Sequence, residues 1–188
     1  MKSFNLILYF FIFILIFLFS CSNDDIPKQV VETEVITDVE LTFKENDGKE
    51  TTYTYTDPKY RTADYEEPVI RLKTGKTYQV TSHFYDKSNP DEIEDITDEV
   101  IEEKDAHFVE YRFHKVSIAL TRRDGEEATD SDGIQIGVTT EWKVGEPSEG
   151  SVQQTLIHQP ESKSTSDPLG NHVGGETDVE VLFDLIIE

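Results

Sequence analysis

Thr177-Asp178-Val179-Glu180-Val181-Leu182-Phe183-Asp184-Leu185-Ile186-Ile187 decides how this chain is read. Thr177, Val179, Val181, Phe183, Leu185 and Ile187 occupy every second position, and Asp178, Glu180 and Asp184 stand between them. A period of two puts the first set on one face of a strand, whereas a helix would scatter it around the circumference. β-branched and aromatic side chains also suit a pleated, half-buried surface. The segment predicts a long strand with one face on a core.

The same period recurs upstream. Val35, Thr37, Val39, Leu41 and Phe43 alternate with polar residues, and Asn46-Asp47-Gly48 turns that run into Thr51–Thr56, which predicts a hairpin. A short run from Val69 to Lys73 turns at Thr74-Gly75-Lys76 into Thr77–Tyr85, where Tyr78, Val80, Ser82 and Phe84 share a side. Further strands are expected at His107–His114, Val116 to Leu120, Ile134 to Trp142 and Val152–Gln159. Ile93, Ile96, Val100 and Ile101 follow helical spacing, so a short helix capped by Thr97 should end near Lys104. Asp124–Gly133 and Pro160–Gly175 read as loops. About eight or nine strands with one minor helix and no βαβ unit predict an all-β fold. An immunoglobulin-like antiparallel β-sandwich comes first, a small closed β-barrel second. The last strand is expected beside the first long one.

The chain begins differently. Lys2 precedes a run from Phe4 to Phe19 that is almost wholly apolar, ending in Leu18-Phe19-Ser20-Cys21 and then Ser22-Asn23-Asp24-Asp25. This resembles the signal segment and lipobox of bacterial lipoproteins, in which the Cys is acylated and becomes the mature N-terminus. Residues 1–20 are then a signal peptide, and residues 21–34 a lipidated Cys with a flexible acidic tether. Residues 35–188 form the single domain. Ser22, Asn23, Asp24 and Asp25 resemble the signal that sends such lipoproteins to the cell surface, the periplasmic face of the outer membrane being the alternative. Membrane attachment is through lipid.

Composition narrows the partners. Acids outnumber Lys and Arg by 39 to 17, a formal charge of −22. Nucleic acid is excluded as a partner because a phosphate backbone needs a basic face. With one Cys, at position 21, the domain has no disulfide, no zinc-thiolate centre and no Cys-His nucleophile.

Glu94-Asp95-Ile96-Thr97-Asp98-Glu99-Val100, Thr74-Gly75-Lys76-Thr77-Tyr78 and Gly174-Gly175-Glu176-Thr177-Asp178-Val179, together with Cys21-Ser22-Asn23-Asp24-Asp25, resemble small lipoproteins of flavobacteria and their relatives. The resemblance implies an outer-membrane location and no particular activity. Some members carry the labels GTP cyclohydrolase or periplasmic-binding fold. The first needs cysteine ligands to zinc and the second alternating helices and parallel strands, and this sequence offers neither.

No Gly-x-Ser-x-Gly elbow or phosphate-binding loop is present, so the expectation is a non-enzyme. The first reading is a lipid-anchored binding or accessory module, in the service of an outer-membrane uptake receptor. The alternative is a metal or haem capture protein, and a surface polymer hydrolase ranks last. No histidine pair has the i, i+4 spacing of a helical zinc site, so a zinc or bis-histidine haem site would assemble across strands from His107, His158 and His172. Asp130 and Asp132, in Asp130-Ser131-Asp132-Gly133, supply a fragment of calcium-loop chemistry.

Overall fold

Glu176–Ile187 forms the predicted long strand, but its neighbours differ from those expected. The computed structural model describes residues 34–188. In chain order the elements are β1 (Asp38–Glu45), β2 (Glu50–Thr56), β3 (Val69–Leu72), β4 (Thr77–Asp86), β5 (Glu94–Asp95), α1 (Ile96–Glu102), β6 (His107–His114) and β7 (Ile118–Arg122). They continue with β8 (Thr139–Val144), β9 (Ser148–His158), β10 (Ser162–Ser164), β11 (Asn171–Val173) and β12 (Glu176–Ile187). Among the described residues no helix is long and apolar enough to cross a membrane.

Two main sheets carry the fold. One has the order β2-β1-β4-β8-β7, with β5 added beside β4; the other has the order β3-β12-β9-β6. β1, β4, β8 and β7 thus stand in the A-B-E-D order of an immunoglobulin sandwich, and β6, β9 and β12 in the order C-F-G. β3 adds to the free edge of β12 and pairs with it in parallel, Ile70 opposite Leu185. The structure is therefore an all-β sandwich and no closed barrel. The expected pairing of the last strand with the first is corrected: β1 has β2 on one edge and β4 on the other, so neither edge is free for β12.

The inner faces follow the alternation. Val39, Leu41 and Phe43 of β1 and Tyr78, Val80 and Phe84 of β4 face Val181, Phe183 and Leu185 of β12 across a continuous core. At its centre Trp142 receives Phe43, Tyr111 and Phe113 edge to face, with centroids 5.2, 6.0 and 4.9 Å away. Immunoglobulin domains often place a disulfide between strands B and F. Here a buried polar triad joins the corresponding strands: Gln154 Nε2 donates to Ser82 Oγ at 2.6 Å, and Ser82 lies 2.9 Å from the Tyr111 hydroxyl.

Several boundaries move from the sequence expectation. β1 begins at Asp38, and Val35 is half exposed. The helix is capped by Asp95, whose carboxylate accepts the Thr97 N–H. Thr97 turns inward instead, its hydroxyl accepting the Phe84 N–H at 2.8 Å. Residues 134–138 are irregular and β8 starts only at Thr139. The segment from Pro160 to Gly175 contains the β10–β11 hairpin.

Candidate metal centre

At one end of the β3-β12-β9-β6 sheet, the inner face changes from apolar to polar. His107 and Val109 alternate inward with Tyr111 on β6, as do Leu156 and His158 with Gln154 on β9. His107 and His158 are register partners, so their imidazoles meet in the interior, stacked with centroids 4.8 Å apart and planes inclined by 16°. His107 is fully buried and His158 nearly so.

The third group comes from an irregularity. Thr177 pairs with Ile157 and Val179 with Leu156, so Asp178 is the extra residue of a β-bulge. Regular alternation would send Asp178 to the solvent side with Glu180 and Asp184. The bulge re-aims it inward, and its side chain is fully buried. Gly174 and Gly175, both at positive φ, precede it. A Cβ on Gly175 would lie 2.7 Å from the His158 carbonyl oxygen, so only glycine lets β12 begin so close to the end of β9. The fourth group is Glu34, ahead of β1, with a side chain 9% exposed. Ile36 packs against the core just behind it.

Glu34 Oε1 lies 3.4 Å and Asp178 Oδ2 3.8 Å from His107 Nε2, while Asp178 Oδ1 lies 3.7 Å from His158 Nδ1. His107 Nδ1 faces the Glu103 carbonyl at 3.2 Å. That contact selects the Nδ1–H tautomer and leaves the Nε2 lone pair toward the carboxylates. Glu34 Oε2, His107 Nε2, His158 Nδ1 and both Asp178 oxygens are buried with no hydrogen-bond partner among the described residues. Burial pushes the Asp178 carboxyl up to about 6, with Glu34 adding to the rise and the histidines opposing it. Burial alone would lower His107, but the Glu34 and Asp178 carboxylates outweigh it and raise its proton affinity. Glu99 is also raised, by burial first and then by Glu34, so negative charge accumulates at this corner.

These spacings discriminate between two accounts. A hydrogen-bonded ion pair closes to roughly 2.7–3.2 Å. Four donors at about 2.0–2.2 Å around a tetrahedral zinc stand roughly 3.3–3.5 Å apart. Glu34 Oε1 and Asp178 Oδ2, at 3.4 and 3.8 Å from His107 Nε2, are too far for the first and nearer the second, whereas His158 faces the other Asp178 oxygen and does not share that set. As bare ion pairs the groups would also leave several buried lone pairs unsatisfied, at a desolvation cost of several kcal/mol per ion. A cation shared by Glu34, His107 and Asp178 removes both deficits for those three. Glu103 is exposed, and its carboxylate groups separately with His107 and His158.

Of the residues the sequence offered as metal ligands, the structure brings His107 and His158 together and places the others elsewhere. His172, on β11, meets Glu110 at 2.7 Å, and Glu110 in turn holds Arg112. Asp130 is bound by Lys163, whose ammonium lies 2.9 Å from Oδ2. Its Oδ1 accepts the N–H groups of Asp132 and Ile134. The lysine supplies there the charge that calcium would bring, and Asp132 is exposed. Haem does not suit the histidine pair, because stacked imidazoles leave no slot for a porphyrin between them. Cys21 and Ser22–Asp25 lie outside the described residues.

An open cleft of about 600 Å³ lies between Tyr55, Arg61 and Glu67 on one side and Gln153, Glu180 and Asp184 on the other. Arg61 is committed to Glu67 at 2.7 Å and Gln153 to Glu180 at 2.9 Å. Glu180 and Asp184 are exposed. No protein-family model, curated protein or solved structure matches the chain.

Proposed function

We propose that this protein is a lipid-anchored, non-enzymatic module of the outer membrane, directed to the cell surface, whose working centre binds a divalent transition metal, zinc foremost. The observation that carries the metal reading is the convergence of Glu34, His107 and Asp178, with His158 against the other Asp178 oxygen and several buried donor atoms that have no other partner among the described residues. A buried imidazole between two carboxylates suits zinc and its neighbours far better than calcium or magnesium, which take oxygen ligands. The anchor and the surface address rest on Cys21 and the Ser22-Asn23-Asp24-Asp25 run, and on the resemblance to flavobacterial lipoproteins.

Zinc titration of the purified mature chain tests the metal reading. One equivalent should bind, and a zinc concentration a hundred times Kd should add about 2.7 kcal/mol to stability. His107→Ala and Asp178→Ala should each abolish that gain. Binding should weaken as pH falls from 7 to 5, because protons compete for the imidazoles. A melt unchanged by zinc and by chelator overturns the reading.

A further inference from the structure

The ligands of the proposed centre are not equally held. His107 opens the edge strand β6 and pairs with His158 of β9, His158 is paired across β6 and β12, and Asp178 is pinned by β12 bonds on both sides of its bulge. Glu34 lies in no strand. Its nearest fixed points are Ile36, packed on the core, and Thr37, whose N–H donates to the Tyr85 carbonyl at 2.9 Å. Glu34 also belongs to the other half of the sandwich: the chain runs from it directly into β1, whereas the remaining ligands project from the opposite sheet.

Resting on the metal reading, we propose that the metal is a clasp: when bound, it fastens Glu34 to the β6-β9-β12 corner, and when removed, it lets the chain come free at Glu34 and Val35, ahead of the fixed points at Ile36 and Thr37. The physical cause is charge. Without a cation, Glu34 and Asp178 are two carboxylates in one buried site, with only imidazoles between them. One carboxylate must leave or take up a proton. Asp178 cannot leave without undoing the end of β12. Glu34 can, because only two or three residues separate it from the first hydrogen-bonded position. Bound metal reverses the balance and adds a link between the two sheets, in a domain that has no disulfide to make one. Metal supply would in this way set whether the segment ahead of Ile36 is exposed to proteases.

Hydrogen exchange read by mass spectrometry on the full mature chain, with zinc and with chelator, tests the clasp. Zinc should slow exchange at Glu34 and Val35 about tenfold or more, with little change in β4 or β8. Glu34→Gln should still bind zinc through His107 and Asp178, more weakly by about tenfold or more. At saturating zinc that variant should show no protection of residues 34 and 35. Asp178→Asn should lose both binding and protection. If the native chain binds no zinc, the metal reading itself fails. If it binds zinc while Glu34 and Val35 exchange equally fast in both conditions, or if Glu34→Gln binds as the parent does, the centre stands and the clasp is wrong.

Discussion

Tyr111 shows how much one side chain does in this core. Its hydroxyl donates to the Gly137 carbonyl at 2.9 Å and lies beside Ser82 and Gln154, so one phenol serves three elements. Burial pushes its ionisation up to about 12 from an ordinary value of 10. The unfolded chain therefore releases this proton at a pH where the folded one keeps it. Stability from Tyr111 is complete below pH 10 and is lost as pH rises toward 12. Emission from Trp142, the sole tryptophan and fully buried, should report alkaline unfolding in that interval. Tyr111→Phe should flatten the alkaline slope while costing about 1–3 kcal/mol at neutral pH, because Ser82 and Gly137 lose a partner. Equal slopes in denaturant melts of the two proteins at pH 8 and pH 11 would show that another group governs the alkaline limb.

At the scale of the element, β12 and α1 carry the clearest expectations. Phe183 is wholly buried between the sheets, and Phe183→Ala should cost about 3–5 kcal/mol in a urea melt. Thr97→Val keeps the shape but leaves the buried Phe84 N–H without its acceptor, a loss of about 1–3 kcal/mol. A melt within a few tenths of the parent in either case would mean the element is not held as described. These elements also mark what the sequence could and could not reveal. The inward faces of β4, β6 and β12 were legible because a two-residue period has one meaning wherever a core lies on one side. His107 and His158 were legible as histidines, though not as neighbours, because register between distant strands leaves no local trace. Asp178 was illegible as a ligand: on an unbroken alternation it reads as solvent-facing, and only the bulge reverses it. The Gly174-Gly175 pair just before it was the available signal of an irregular start. Val35 and Ile93 fitted their periods and still lie outside their elements, because period alone does not supply a hydrogen-bond partner.

For the whole molecule, the decisive question is where it stands. The chain's charge of −22 gives it no electrostatic attraction to an anionic bilayer, so attachment would fall to the lipid proposed at Cys21. Intact cells exposed to protease should lose the domain, while Asp24→Ala with Asp25→Ala should shelter it without releasing it from the membrane fraction. Cys21→Ala should leave it unlipidated. Native protein that survives protease on capsule-free cells would place it on the periplasmic side.

The parallel pairing of β3 with β12 has a consequence for how the sandwich is made. Val69–Leu72 must wait for Asp184–Ile187, and the Thr74 N–H for the Glu188 carbonyl, before that edge of the sheet exists. A chain emerging from the ribosome or from a secretion channel, N-terminus first, can form the β1–β2 hairpin and add β4 early. Its second sheet cannot be completed until almost everything through residue 188 has appeared. Contacts so distant in sequence slow folding, and an unfilled edge invites pairing with other chains. Export before folding, under the care of a chaperone, is the order of events this topology tolerates best. A nascent chain halted anywhere before β12 should remain protease-sensitive throughout β3, however long it is given to fold.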